Sequence, residues 1–428
     1  MNSKLFKYIE ASPTAFHACA HSAAILTQKG FQPLEESEEW ALEFGKGYFV
    51  TRNSSSLIAF KLPENKFDGF MISAAHSDSP CFKIKENAAL SDGRYQRLSV
   101  EKYGGMICSS WLDRPLSVAG RVIVKNGDKI ETRLVDFAEP VATIPSVAIH
   151  MNRNVNDGVA LNAAVDMLPL FSIGEEEDLF GKRVAAFAGA DQEDILSFDL
   201  YLYNAEKGVD FGEFVSAPRL DDLQCAFASI EAFTDSVTLK NAAVCCIFDN
   251  EEVGSATKQG ADSTFLYDVL SRINHALSGD EAELRIRIAS SFMASLDNAH
   301  ALHPNHPEFS DKNHAPALNG GIVIKHNANQ KYTTDAVSAS LWKMICEEAG
   351  VPCQSYANRA DIPGGSTLGN IANSHVSLNT VDIGIAQLAM HSAYETAGSK
   401  DTEYLIKALK LFYGKAIKTE ADGVYRII

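Results

Sequence analysis

No C-x-x-C pair occurs among the eight cysteines of this chain, two of which, Cys245 and Cys246, are adjacent. That spacing excludes a zinc ribbon and the disulfide framework of small secreted domains. It leaves most of the thiols to act as small buried apolar groups. No run reaches the roughly 18 apolar residues that a membrane-spanning helix needs. The N-terminal MNSKLFKYIEASP has no apolar h-region, so a secretory leader is not expected. Positive charge is scarce, with 38 Lys and Arg against 55 Asp and Glu and a net charge of −17. No dense basic stripe breaks that balance, and a phosphate backbone would be repelled, which argues against nucleic acid as a partner. Internal repeats and low-complexity segments are also missing. These absences lead to the expectation of a cytoplasmic protein with no membrane attachment.

What is present is an ordinary globular composition, 46% apolar and 22% charged, over 428 residues. That length exceeds the roughly 250–300 residues at which one core usually stops growing, so two domains are expected. Ser12-Pro13 predicts an N-cap with proline at the first helical position, opening a helix that stops at Gly30. GYFVTR and LIAFKL, split by Asn53 and serines, predict a hairpin, and DGFMISAA a short apolar strand. From about residue 86 to 212 the texture changes to short alternating strands, with Asn126-Gly127 as a hairpin signal and GEEEDLFGKR as a polar loop. Residues 86–212 are therefore expected to form a β-rich domain inserted into a discontinuous one, 1–85 with 213–428. In the latter, helix and strand alternate: LDDLQCAFASIEAFT as helix, NAAVCCIFDN as strand, TFLYDVLSRINHAL as helix, RIRIASSFMASL as strand, TDAVSASLWKMICEEAG as helix, VDIGIAQLAM as strand and a closing helix KDTEYLIKALKLFY. This rhythm predicts an α/β fold with a mixed central sheet and helices on both faces.

The strongly polar residues fall at the ends of apolar strands. His76 and Asp78 follow MISAA, Glu251 and Glu252 follow VCCIFDN, Asp297 follows FMASL with His300 close by, and His391 follows VDIGIAQLAM. Open α/β sheets bind ligands outside the carboxyl ends of their strands. Asp221 adds a carboxylate at the start of a helix, with Asp222 beside it. Imidazole nitrogens and carboxylate oxygens suit zinc, and one bridging carboxylate brings two metals to about 3.5–4 Å of each other. The set leaves one acid to spare as a general base, and Asp78 stands where it can orient the His76 imidazole. Each residue alone has a blander reading: a strand-end histidine facing solvent, an N-capping aspartate, a solvated Glu-Glu loop. Their joint placement points to a metal hydrolase.

SAAHSDSP, SAPRLDDL, FDNEEVGS, SLDNAHALHPN, GIVIKHNANQKY, IPGGSTLG and AMHSAYETAG occur in this order. Together they resemble the aspartyl aminopeptidase family of zinc metallopeptidases, as do WLDRPL and IPSVAIHMNRNVND within the inserted segment. The resemblance implies a zinc-exopeptidase fold and two zinc ions per subunit, with Co2+ or Mn2+ as possible substitutes. It implies His76 and Asp297 on one ion, Glu252 and His391 on the other, Asp221 bridging, and Glu251 as general base with Asp78 steadying His76. It implies substrate contacts from His300, Lys325 and Tyr332, and His150 reaching the site of a neighbouring subunit. It further implies that the inserted domain mediates dimerisation within a larger, dodecameric homo-oligomer. The expected activity is removal of N-terminal residues from peptides, acidic ones (Asp or Glu) if the family name carries over. The alternatives are a two-metal amidase of N-acyl amino acids on the same scaffold, and a non-catalytic assembly or cargo-binding protein of the same fold.

Overall fold

The computed structural model describes residues 1–174 and 176–428. Among them are a 13-stranded mixed sheet, a six-stranded antiparallel sheet and a terminal hairpin. In the large sheet the strands Ala242–Phe248, Phe70–His76, Phe292–Leu296 and Asn379–Leu388 lie side by side and parallel. Their carboxyl ends therefore share one edge. The strands Ser56–Lys61 and Ile322–His326 flank them in antiparallel pairing.

Every residue of Phe70–His76, Ala242–Phe248 and Phe292–Leu296 is buried. A sheet covered on both faces requires this, because side chains point alternately to each face. Met71, Ala75, Cys245 and Ile247 face one core, against the helices Leu220–Asp235 and Asp401–Tyr413. Phe70, Ile72, Ala74, Val244 and Cys246 face the other, against Phe265–Ala276 and Glu281–Ala289. This is the expected mixed sheet with helices on both faces.

The six-stranded sheet takes its strands from Cys81–Ser91 through to Ile195–Asn204. It closes a separate core around Phe82, Val118, Val122, Leu200 and Leu202. Asn126 and Gly127 do turn a hairpin, between Leu116–Asn126 and Lys129–Asp136. The next strand, Val209–Asp210, already belongs to the large sheet.

Four local expectations differ from the structure. Asn2–Glu10 forms an additional helix, and the next one, Ala15–Gln28, is preceded by Thr14 rather than Ser12. RIRIA is helical, within Glu281–Ala289. A capping box between Asp280 and Glu283 starts that helix, and Leu284 and Ile288, four apart, are its buried stripe, while Ile286 faces solvent. The apparent Ile/Arg alternation was therefore no strand signal. The polar stretch 174–183 contains the start of a helix, Leu179–Ala188, with the Asp178 side chain accepting from Gly181 N and Phe180, Val184 and Ala188 buried four apart. Glu175, in the same stretch, lies outside the described residues. After Asp401–Tyr413 the chain ends in the hairpin Ile417–Ala421 and Val424–Ile427.

Candidate metal centre

The parallel strands deliver their terminal residues to one cleft. His76 is the last residue of its strand, paired in register with Phe248, and Glu251 and Glu252 follow Phe248 in a 3-10 turn. Asp297 follows Leu296 directly, and His391 lies three residues past Leu388. Asp221 enters from the helix Leu220–Asp235, whose first turn is not helical in backbone at Asp221 (φ −81°, ψ 109°) or Asp222 (φ −116°, ψ 22°).

The distances among these groups fit shared cations better than direct pairing. His76 Nε2 lies 3.5 Å from Asp221 Oδ1 and 3.9 Å from Asp297 Oδ1. His391 Nε2 lies 3.6 Å from Asp221 Oδ2 and 3.5 Å from Glu252 Oε1. Two ligands about 2.0–2.2 Å from a tetrahedral ion stand roughly 3.4 Å apart, beyond the best hydrogen-bond range. The two oxygens of Asp221 thus face two different imidazoles. Asp221 Oδ1 and Glu252 Oε1 are buried without a hydrogen-bond partner, a costly state that a cation would relieve. Groups able to hold an ion include His76 with Asp221, Asp222 and Asp297, and Asp221 with Glu252 and His391. Asp222 accepts from His76 N (3.2 Å) and has its other oxygen buried and unpaired.

The electrostatics of the polypeptide alone point the same way. Burial, with Asp297, Asp78 and Asp221 adding to it against His76, pushes Glu251 up to about 8. Burial also pushes Glu252 up, with Asp221 reinforcing it. Burial opposes a charge on His391, but Asp221, Glu252 and Glu395 outweigh it and raise the imidazole to about 10. Protons collect where a crowd of carboxylates calls for positive charge.

Around this cluster stands a supporting shell. His76 Nδ1 is 3.1 Å from the Asp78 main-chain oxygen and 3.4 Å from its Oδ1. The Asp78 carboxylate also accepts from Glu251 N, Glu252 N (3.1 Å each) and Tyr103 Oη (2.7 Å), so it sets the turn as well as the imidazole. Lys325 Nζ pairs with Asp297 Oδ2 at 3.0 Å. Glu395 takes Asp221 N (3.0 Å) and His391 N (2.7 Å) on its two oxygens. The inserted sheet reaches in through Tyr103, Gly104 and Gly105. Gly105 O bonds His391 Nδ1. Gly104 has φ +74°, and a Cβ there would lie 3.1 Å from Glu252 Cβ, so the approach needs glycine.

No motif in the sequence marks a role for Tyr103, Gly104, Gly105 or Glu395. Gly-Gly at the end of a strand was the one local signal of a close backbone approach. Of the expected residues, His76, Asp221, Glu251, Glu252, Asp297, His300, Lys325, Tyr332 and His391 line one cleft together with Tyr356, Gly365, Ser366 and Met390. Its cavity volume is about 180 Å3, room for an amino-acid side chain beside the cluster. Asp78 stands behind His76. His150 is exposed on the inserted segment and does not line this cleft.

Comparison with known proteins gives the family. Residues 8–413 match the family model for aminopeptidase I zinc metalloproteases (M18). The chain is 45% identical over 424 residues to a probable M18 family aminopeptidase 2 of Clostridium novyi, covering 96% of this chain and 98% of that one. A cryo-EM structure of an Ape4 and Nbr1 complex superposes with a TM-score of 0.92 at 37% identity, over 96% of this chain and 84% of that one. The S. cerevesiae mApe1 dodecamer gives 0.84 at 29% identity, over 96% and 95%.

Proposed function

Because the chain belongs to the M18 family of zinc metalloproteases and is a zinc aminopeptidase, we propose that it releases N-terminal residues from peptides through a two-zinc site with Glu251 as general base. The observation that carries the two-ion reading is the Asp221 carboxylate, one oxygen facing His76 and the other facing His391. His76 and Asp297 would hold one ion, Glu252 and His391 the other, with Asp221 between them. Mixed His and carboxylate sets also accept cobalt or manganese. Zinc bound there supplies Lewis acidity to the scissile carbonyl and to the attacking water.

The chain's own residues do the rest. Glu251 takes the proton of the attacking water on its carboxylate and passes it to the leaving amine. Its burial among like charges favours holding that proton. Asp78 keeps both Glu251 and His76 in place. Lys325 bonds Asp297 with one N–H, and an ammonium has three. Lys325, His300 and Tyr332 line the cleft where the substrate's first residue would lie, and an acidic side chain would find a cation there. This supports the preference for N-terminal Asp or Glu.

A homo-oligomer, dodecameric like the yeast relative, accounts for the exposed apolar residues flanking His150: Val147, Ile149, Met151 and Val155. In it, His150 would reach a neighbouring copy's cleft. All eight cysteines are free, as a reducing cytoplasm would keep them. No helix among the described residues is long and apolar enough to cross a membrane.

A panel of aminoacyl amides, free and N-acylated, assayed with chelator and metal add-back, tests the reading. Metal-dependent cleavage of free-amine substrates, fastest for Asp or Glu, is expected. Faster cleavage of the N-acylated series would replace the aminopeptidase by an amidase, and no turnover of either would leave a binding protein.

A further inference from the structure

We propose that Glu395 is a positioning residue that fixes the spacing of Asp221 and His391, and through them the affinity of the site for its metal ions. The inference rests on the reading of those two residues as ligands.

Glu395 is 1% exposed. It is the first residue of the strand Glu395–Gly398, which runs antiparallel to Phe214–Ala217 with Ala217 opposite Glu395. Its carboxylate therefore sits where one segment leaves the sheet towards Asp221 and another arrives from His391. Oε2 accepts from Asp221 N at 3.0 Å and Oε1 from His391 N at 2.7 Å. One side chain thus spans two main-chain sites 170 residues apart in sequence.

Both sites need holding. His391 has φ +65°, the left-handed region that a non-glycine residue occupies only when its surroundings impose it. Asp221 has extended backbone inside the first turn of a helix, so its N–H is free of the helical ladder. Leaving either N–H unpaired in a buried site would be costly. Only a carboxylate offers two acceptors and no donor on an arm of this length. Glutamine would turn an NH2 towards one of the two N–H groups, losing a bond and opposing donor to donor. Glu395 belongs to none of the candidate ion-holding groups, and both its oxygens are already engaged, so its action is through Asp221 and His391.

The test is zinc affinity of the full-length enzyme, read by competition with a chromophoric chelator, beside kcat and KM over a range of free zinc. Glu395→Gln should weaken zinc binding about 10- to 100-fold, with kcat restored at high zinc and KM little changed. Glu395→Asp, with two acceptors on a shorter arm, should fall between wild type and Glu395→Gln, and remains informative if the glutamine variant does not fold. Thr396→Val removes the 2.7 Å bond to Ser216 between the same two strands and should leave zinc affinity unchanged. Wild-type affinity in both Glu395 variants, or an equal loss in Thr396→Val, overturns the proposal. His391→Ala in the same titration separates the two levels. If it still binds both ions tightly, the ligand reading has failed, whereas if it loses an ion that Glu395→Gln keeps, only the positioning role has failed.

Discussion

Every side chain of the Phe70–His76 strand is buried, while in Tyr95–Tyr103 of the smaller sheet buried positions alternate with half-buried or exposed ones. The first strand is packed between two layers of helices, and the second has one face on a core and the other towards solvent. The chemistry sits on the first kind. A strand fixed on both faces ends at a defined point, and four such ends in parallel register bring His76 and Asp297 into one candidate ion-holding group with Asp221, and Glu252 and His391 into another. Among the described residues, the smaller sheet supplies no group to the ion cluster. It adds the Tyr103–Gly105 corner, which braces Asp78, Glu252 and His391 from outside, and Ile107 just beyond it, whose N–H donates to His391 O at 3.0 Å. The contrast teaches that the sheet packed on both faces carries the candidate ligands, and the sheet with one face to solvent braces them from outside.

Substitutions should break along that line. The largest effect belongs to Asp221→Ala at the edge of the large sheet, which removes the carboxylate between the two imidazoles. Elemental analysis should find the metal lost and activity abolished, and two zinc ions per subunit in the variant would contradict the bridging role. Next comes Glu251→Gln, with metal content unchanged and kcat lower by about 10²–10⁴. Full activity in that variant would remove Glu251 from the mechanism. The corner of the smaller sheet should give intermediate effects. Gly104→Ala places a Cβ 3.1 Å from Glu252 Cβ at φ +74°. It should cost about 1–3 kcal/mol of stability and lower kcat/KM through a displaced Glu252, read by thermal unfolding and steady-state kinetics. Tyr103→Phe deletes the hydrogen bond donated to the Asp78 carboxylate and the one accepted from Asn250 Nδ2. It should cost about 1.5–3 kcal/mol at most, with a few-fold loss of kcat. If Tyr103→Phe matched Glu251→Gln in kcat, the smaller sheet would carry chemistry after all and the contrast would fail.

Much of the large sheet was legible because its signals are local. Runs such as FMISAA and AAVCCIF are continuous apolar segments followed at once by polar residues, and a parallel sheet turns that pattern into a site. RIRIA was misread because alternation over five residues fits a strand, while the capping box at Asp280 and Glu283 and the buried Leu284 and Ile288 belong to a helix. The helix Leu179–Ala188 was hidden for a similar reason, its acidic approach reading as loop while its buried stripe recurs only every fourth residue. Lys325 was expected to face substrate, and its pairing with Asp297 could not be read from a lone lysine in a strand.

Order along the chain was enough to put imidazoles and carboxylates just after apolar strands, and so at one edge of the parallel strands of the large sheet. The resemblance of its ordered motifs carried the family and the expected ligand set. Tertiary structure alone decided how Asp221 and Asp222 divide the space: the oxygens of Asp221 face His76 and His391, and Asp222 turns under the His76 main chain. It alone brought Glu395 between Asp221 and His391 and Gly105 against the His391 ring. The physical reason is that these polar contacts, the one between Glu395 and His391 excepted, join residues roughly 150 to 290 positions apart, and no local pattern of residue types encodes a direction across that separation.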